Sequence, residues 1–385
     1  MKRTHRVTIV AVSLVSVTLF FLVLTGLSRK SEGPLARILT DISVLVMDAE
    51  NAVTDYFRGP GRASRLEWFG PHRKNIDSLR HPPRVLLGAY DGGLPESLDG
   101  ISGLESTLET TFPLIHLYSA WGDRPDQQFP ARVLSAIWNL GSVPVITWEP
   151  WLNDFENVNH LHLPLRADRD RGGLAAIARG DYDFYIDEWA AEAADYKHPI
   201  FLRFAHEMND PYRYPWGPHN NPSVADFLEA WRHVHERFKR AGANNILWVW
   251  SPHIAYTYYD YYPGDSYVDW VATGVLNYGN VAYWSKWWSF EEIFGKKYIY
   301  IAALRKPVMI AEFGSLSYGG DRGQWFNDAL HQLPRRHPGI KAILFFHAMG
   351  DATVTPQALD WTVVHDSTLS RIIAREIAGW STESQ

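Results

Sequence analysis

After residue 84 the chain alternates short apolar runs, rich in β-branched and aromatic residues, with stretches compatible with helix. The runs are Val85–Tyr90, Leu114–Ala120, Val143–Trp148, Ile200–Ala205, Ile246–Trp250, Trp270–Leu276, Val308–Ala311 and Ile343–Phe346. Each gives way to polar or glycine-containing residues: Asp91-Gly92-Gly93, Trp121-Gly122, Glu149-Pro150-Trp151, His206-Glu207-Met208-Asn209, Ser251-Pro252-His253, Asn277-Tyr278, Glu312-Phe313-Gly314 and His347. Between the fourth and fifth runs, Val224, Phe227, Leu228, Trp231, Val234 and Phe238 share one helical stripe, with Ser223 as amino-terminal cap and Gly242 near the stop. Asp183 to Lys197 is a second amphipathic stretch, leading into the fourth run. Repeated strand–helix units of this kind predict an α/β chain folded as a (β/α)8 barrel over residues 84–378, with the polar run ends converging on one mouth. An open doubly wound sheet fits the same alternation, but no glycine-rich dinucleotide fingerprint follows the first strand.

The amino-terminal part has a different pattern. Val7 to Leu27 carry no charge and are long enough to cross a bilayer as a helix, following Lys2, Arg3 and Arg6. The run exceeds a signal-peptide core, and Thr25-Gly26-Leu27-Ser28 is a poor cleavage site, so residues 1–30 read as an uncleaved signal anchor. This places the protein in the cytoplasmic membrane as a single-pass chain with the barrel on the extracytoplasmic side; cleavage would make it secreted. Residues 31–83 read as a juxtamembrane stalk, partly helical from Leu35 to Phe57, with breaks at Gly59-Pro60-Gly61 and His81-Pro82-Pro83.

Composition narrows the chemistry. A net charge of −6 gives no electrostatic drive toward nucleic acid. Zero cysteines remove thiol nucleophiles and thiolate metal sites. Seventeen Trp, 19 Tyr and 18 Phe in 385 residues leave two readings open: rings lining a sugar-binding surface, or an aromatic-rich core.

Glu207 follows the fourth run and Glu312 the seventh, each at the predicted strand end, where side chains would point into the barrel mouth. Two such carboxylates are what a retaining glycosidase needs, one to protonate the leaving oxygen and one to attack the anomeric carbon. Leu202-Arg203-Phe204-Ala205-His206-Glu207-Met208-Asn209, followed by Tyr214-Pro215-Trp216-Gly217, resembles the acid/base segment of glycoside hydrolase family 26, which includes β-mannanases and lichenase-type β-glucanases. Pro307-Val308-Met309-Ile310-Ala311-Glu312-Phe313-Gly314 resembles its nucleophile strand, and the similarity runs over roughly residues 84 to 365. The resemblance implies a barrel enzyme that retains configuration, with Glu207 as acid/base and Glu312 as nucleophile. Arg203 is then expected to donate to Glu312, Tyr278 to hydrogen-bond it, and His206 to contact it or a sugar hydroxyl. Trp148, Trp151 and Trp216 are expected to be sugar platforms and Asn209 a substrate contact, while Glu207 is expected to be held protonated. Glu149 and Asp91 have no assigned role. Asp210 replaces the usual glycine after Asn209, and the eighth run ends in Phe345-Phe346-His347 where related barrels often present a Trp.

His160 with His162 and His233 with His235 do not assemble a convincing metal site, and the glycosidase chemistry needs neither metal nor other cofactor. The expected function is a membrane-anchored endo-acting retaining β-glycanase working on β-1,3-1,4-glucan or β-1,4-glucan ahead of β-1,4-mannan. The alternative is a non-catalytic polysaccharide-binding scaffold attached to an exopolysaccharide synthesis or export complex. A metal-dependent barrel hydrolase such as a deacetylase is a third, lacking recognisable ligands.

Overall fold

The computed structural model describes residues 61–220, 222–281 and 285–382. The expected span Val7–Leu27 and the expected helix Leu35–Phe57 lie outside them. Among the described residues no helix is long and apolar enough to cross a membrane. The chain divides into two units, 1–62 and 63–385, and the second is a closed barrel of eight parallel strands.

The strands are β1 Leu86–Asp91, β2 Leu114–Ala120, β3 Val143–Glu149, β4 Ile200–Phe204, β5 Ile246–Trp250, β6 Trp270–Asn277, β7 Val308–Ser315 and β8 Ile340–His347. They pair in chain order, and β1 closes on β8 from Leu86↔Ala342 to Asp91↔His347. The helix Val224–Arg240 starts at Ser223, whose hydroxyl accepts from the Asp226 amide while Asp226 returns a bond to the Ser223 amide. Gly242 follows with φ +79°, the left-handed conformation glycine tolerates. The helix Asp183–Tyr196 ends at Lys197, also left-handed.

Period-two alternation sorts the strand side chains. In β3, Val143 and Val145 face the barrel interior, while Ile146 and Trp148 pack outward in the layer between sheet and helices. Seven tryptophans, Trp121, Trp148, Trp189, Trp231, Trp250, Trp270 and Trp361, are fully buried. Of the two readings of the aromatic content, the core therefore accounts for much of it.

The amino-terminal end of the barrel is plugged. Leu66, Phe69 and Leu79 are buried against Leu86, Leu114, Phe201, Leu247 and Trp270. The short helix Ile76–Arg80 is capped by Asn75, whose side chain accepts from the Asp77 and Ser78 amides at 2.9 and 3.2 Å. The Trp270 indole donates to the Leu79 carbonyl at 3.1 Å, and Arg80 pairs with Asp269 at 2.7 Å. Residues 66–80, read from sequence as stalk, thus belong to the barrel's packing. Their helices are too short to display a hydrophobic period, which is why the segment resembled a linker.

Candidate active site

β4 brings two functional side chains to the mouth. Phe201 and Arg203 face inward, and beyond Phe204 the backbone turns through Ala205 at φ +44° and Glu207 at φ +52°. Non-glycine residues in this region cost roughly 1–3 kcal/mol each. Neighbouring strands hold them there: the Ala205 amide donates to the Trp148 carbonyl at 3.0 Å and the Glu207 amide to the Ser251 carbonyl at 2.7 Å. On the opposite wall, the pairing of β6 with β7 shifts register between Thr273 and Gly274, and Gly274 then faces both glutamates. A Cβ at Gly274 would lie 3.6 Å from Glu207 Oε1 and 3.7 Å from Glu312 Oε2, so glycine leaves open the space the two carboxylates share.

Glu312 is buried, which by itself would raise its pKa. Arg203 outweighs burial and holds the carboxyl below its ordinary range. The Arg203 Nη1 donates to Glu312 Oε1 at 2.7 Å and to Thr147 Oγ1 at 3.1 Å. Burial likewise works against charge on Arg203, but Glu312 reverses the balance and raises its pKa. Beneath them His116 lies 2.7 Å from Thr147 Oγ1, its pKa pushed down to about 3 by burial and then by Arg203, so it is neutral. The result is an ionised carboxylate on a rigid, positively charged support, as a nucleophile requires.

Glu207 has a partner that the sequence reading missed. Arg213, six residues beyond Glu207 in the loop that follows it, donates from Nη2 to Glu207 Oε2 at 2.6 Å and lies 3.5 Å from Asp210. In this state Glu207 is ion-paired, which departs from the expectation of a proton-bearing acid. Arg213 also reaches Tyr214 Oη at 3.0 Å, and Tyr214 contacts His206 Nε2 at 3.0 Å. His206 Nδ1 lies 3.7 Å from Glu149, beyond hydrogen-bond distance, so the bonded chain runs from His206 through Tyr214 and Arg213 to Glu207. Burial first, against the opposing bond from Trp151, pushes Glu149 up to about 7. Burial, then Arg203, holds His206 well below its ordinary pKa.

Both glutamates and Tyr278 border a cavity of about 870 Å³, shared with Asp210, Tyr212, Arg213, His253, Tyr256, Trp288 and Lys297. Tyr278 packs edge-on against Trp361 at 5.0 Å, so an indole from the segment after β8 comes to this side of the mouth despite its absence from the end of β8. Asp91 and His347, unassigned from sequence, bond at 2.8 Å across the β1–β8 closure.

The other expected substrate contacts lie elsewhere. Trp148 is fully buried against Trp121 and Trp189, pointing away from the mouth. Trp216 is 3% exposed, stacked on Tyr214 at 4.7 Å, with its indole on the His206 carbonyl. Trp151 donates to Glu149 at 3.0 Å and packs on Trp216. Asn209 exchanges bonds with the His253 backbone at 2.8 and 2.9 Å, pinning the β4 and β5 loops together. His206 and Arg203 are buried supports for their neighbours. The rings on the cavity wall are instead Tyr212, Tyr256, Tyr278 and Trp288. His160 pairs with Asp123, and His233 with Asp183, each at 2.6 Å. Among the described residues, Glu207, Asp210 and His253 have possible ligand atoms within 4.8 Å of one another, but Arg213 already answers both carboxylates.

Comparison with known proteins matches residues 136–316, which hold both glutamates, to the model of glycosyl hydrolase family 26. Over those residues the chain is similar to that family. Endoglucanase H of Acetivibrio thermocellus is 29% identical to this chain over 270 residues, 68% of the chain and 27% of the relative. The β-1,3-xylanase TXYA of a Vibrio species is 32% identical over 106 residues, 26% of the chain and 22% of the relative. The chain thus spans about a quarter of the length of the curated relatives it matches. In fold, it is similar to the Bacillus subtilis mannanase man26, at TM-score 0.51 and 18% identity over 77% of this chain and 88% of that one. It is also similar to GH26C from Muricauda sp. MAR_2010_75, at TM-score 0.57 and 15% identity over 83% and 89%.

Proposed function

We propose that this chain is an endo-acting retaining β-glycanase that cleaves a β-linked hexose polysaccharide by double displacement. The observation that carries the reading is the pair of glutamates, from β7 and the end of β4, bordering one cavity, with Arg203 keeping Glu312 ionised. Glu312 attacks the anomeric carbon as Glu207 gives a proton to the departing oxygen; Glu207 then takes a proton from the water that releases the glycosyl group. For the first step Glu207 must exchange its bond to Arg213 for a proton. Tyr212, Tyr256 and Trp288 offer apolar faces to sugar rings. The name and coverage of endoglucanase H favour β-1,3-1,4-glucan or β-1,4-glucan over β-1,4-mannan.

The uncharged segment Val7–Leu27 supports a membrane-anchored form with its barrel outside the cytoplasmic membrane, positioned to meet polymer leaving a synthesis or export complex. Protease protection in closed and opened cells tests that placement.

The activity test incubates the detergent-solubilised full chain with mixed-linkage β-glucan, cellulose, β-mannan and xylan, and measures reducing ends. Glu312→Gln serves as blank, because it removes the nucleophile while leaving Arg203 a hydrogen-bond acceptor. Release that the variant lacks is the expected result. Binding without release would transfer the weight to the scaffold reading.

A further inference from the structure

Three tyrosines are exposed among the described residues, Tyr212, Tyr259 and Tyr300, and all three stand on the cavity wall or next to it. Tyr212 borders the cavity and meets Tyr256, another wall residue, edge-on at 6.1 Å. Two separate elements lead from the wall to the other two. After Tyr256 the chain passes through the buried Tyr258 into the short helix Tyr259–Tyr261. In the helix Lys296–Ala302, Lys297 borders the cavity and Tyr300 follows by three residues, so both lie on one face a turn apart. The two routes meet, because the Tyr259 and Tyr300 rings are 6.1 Å apart at 83° and form a corner. Those rings are 48% and 51% exposed, and Ile299, next to Tyr300 in the chain, is 63% exposed.

The corner has a firm base. Tyr258 packs against Tyr259 at 4.7 Å and against Trp250 at 6.1 Å, while Tyr298 and Ile301 anchor the helix in the core. Burial first, then the hydrogen bond with Tyr259, raises the pKa of Tyr258, and Tyr300 acts in the same direction, so three hydroxyls lie near one another. Core packing accounts for Tyr258, Tyr298 and Ile301 but not for the outer rings. A pyranose ring has an apolar C–H face and a rim of hydroxyls, which is what half-exposed ring faces tipped with hydroxyls complement.

The geometry points to a second sugar-binding platform, formed by Tyr259 and Tyr300 outside the cavity, that holds a further stretch of the β-linked polymer being cut. The platform rests on the glycanase reading and goes beyond it, since neither ring borders the cavity that holds the two glutamates. Its consequence is a dependence on chain length: a long polymer engages both places, whereas a short oligosaccharide fills only the cavity.

The test uses the full chain on the polymer that the wild type cleaves fastest among mixed-linkage β-glucan, cellulose, β-mannan and xylan, and on the shortest oligosaccharide of that polymer that it cuts. Tyr259→Ala and Tyr300→Ala are each expected to raise KM on the polymer about three- to tenfold, the size of one aromatic contact, with kcat unchanged. On the short oligosaccharide both should match the wild type. Tyr300→Trp, which keeps a ring in place, should retain the wild-type KM on the polymer. An unchanged polymer KM in both alanine variants, or an equal loss on polymer and oligosaccharide, would overturn the platform while leaving the glycanase reading intact. A changed oligomeric state in gel filtration with unchanged polymer KM would overturn it too, assigning the corner to a protein contact. Release from none of the four polymers by the wild type would remove the glycanase reading, and the platform with it.

Discussion

The two ends of the barrel are built on opposite principles. At the foot, Leu66, Phe69 and Leu79 close an apolar interior against Trp270, with the indole's single polar atom satisfied by the Leu79 carbonyl. At the mouth, Arg203, Glu312 and Glu207 are buried beside the partly buried Arg213 and Glu149, and two residues of the β4 turn are held at positive φ. Burial of apolar surface stabilises the first arrangement, at roughly 1.5–3 kcal/mol for each fully buried large side chain. The second is worth little to folding, because desolvation offsets most of what buried ion pairs gain. Stability and chemistry are therefore separable along the barrel axis, and substitutions at one end should leave the other's property largely unchanged.

The largest expected effect is at the mouth. Glu312→Gln should lower kcat by about 10³-fold or more while glycan binding, read by affinity electrophoresis, persists. A variant that keeps wild-type turnover would make the carboxylate structural. At the foot, Phe69→Ala should cost about 3–5 kcal/mol in denaturant unfolding. Its kcat/KM per folded molecule should stay at the wild-type value, and a matching loss of activity would break the division between the two ends.

A smaller effect concerns pH. Glu149 titrates near 7 in the folded barrel and at about 4.3 in an unfolded chain. Between those values the unfolded state loses its proton first, so this group's contribution to stability falls as pH rises through that window and levels off above it. Glu149→Gln should flatten that part of the profile, measured as Tm from pH 4 to pH 8. An unchanged slope would show that the group's surroundings are not those described. The smallest is Ser223→Ala, which removes a helix cap far from both ends and should cost about 1 kcal/mol with activity intact.

The foot and mouth also differed in how far sequence disclosed them. All eight strands were legible, because each apolar run is bounded by turn or polar residues. The two glutamates were legible because strand ends fix where a barrel's functional side chains emerge. Trp148 was misplaced although the signal existed: with Val143 and Val145 inward, period two puts Trp148 outward and Thr147 and Glu149 inward. Arg213 carried no such signal, since its position depends on how the loop after Glu207 folds back. Trp216 and Tyr214 likewise stack on each other for tertiary reasons that residue type does not reveal. The plug at 66–80 was missed because only Leu66, Phe69 and Leu79 are buried in the central apolar cluster, with Trp68 and Ile76 at its edge, across helices of a single turn or so.

The central claim is that Glu312 attacks sugar while Glu207 manages the proton. A slow 2-deoxy-2-fluoro β-glycoside with a good leaving group, followed by peptide mapping in a mass spectrometer, tests it most directly. The account predicts one glycosyl group attached to the peptide containing Glu312 and, in that peptide, to Glu312 itself. Attachment to Glu207 or Glu149 instead would contradict it.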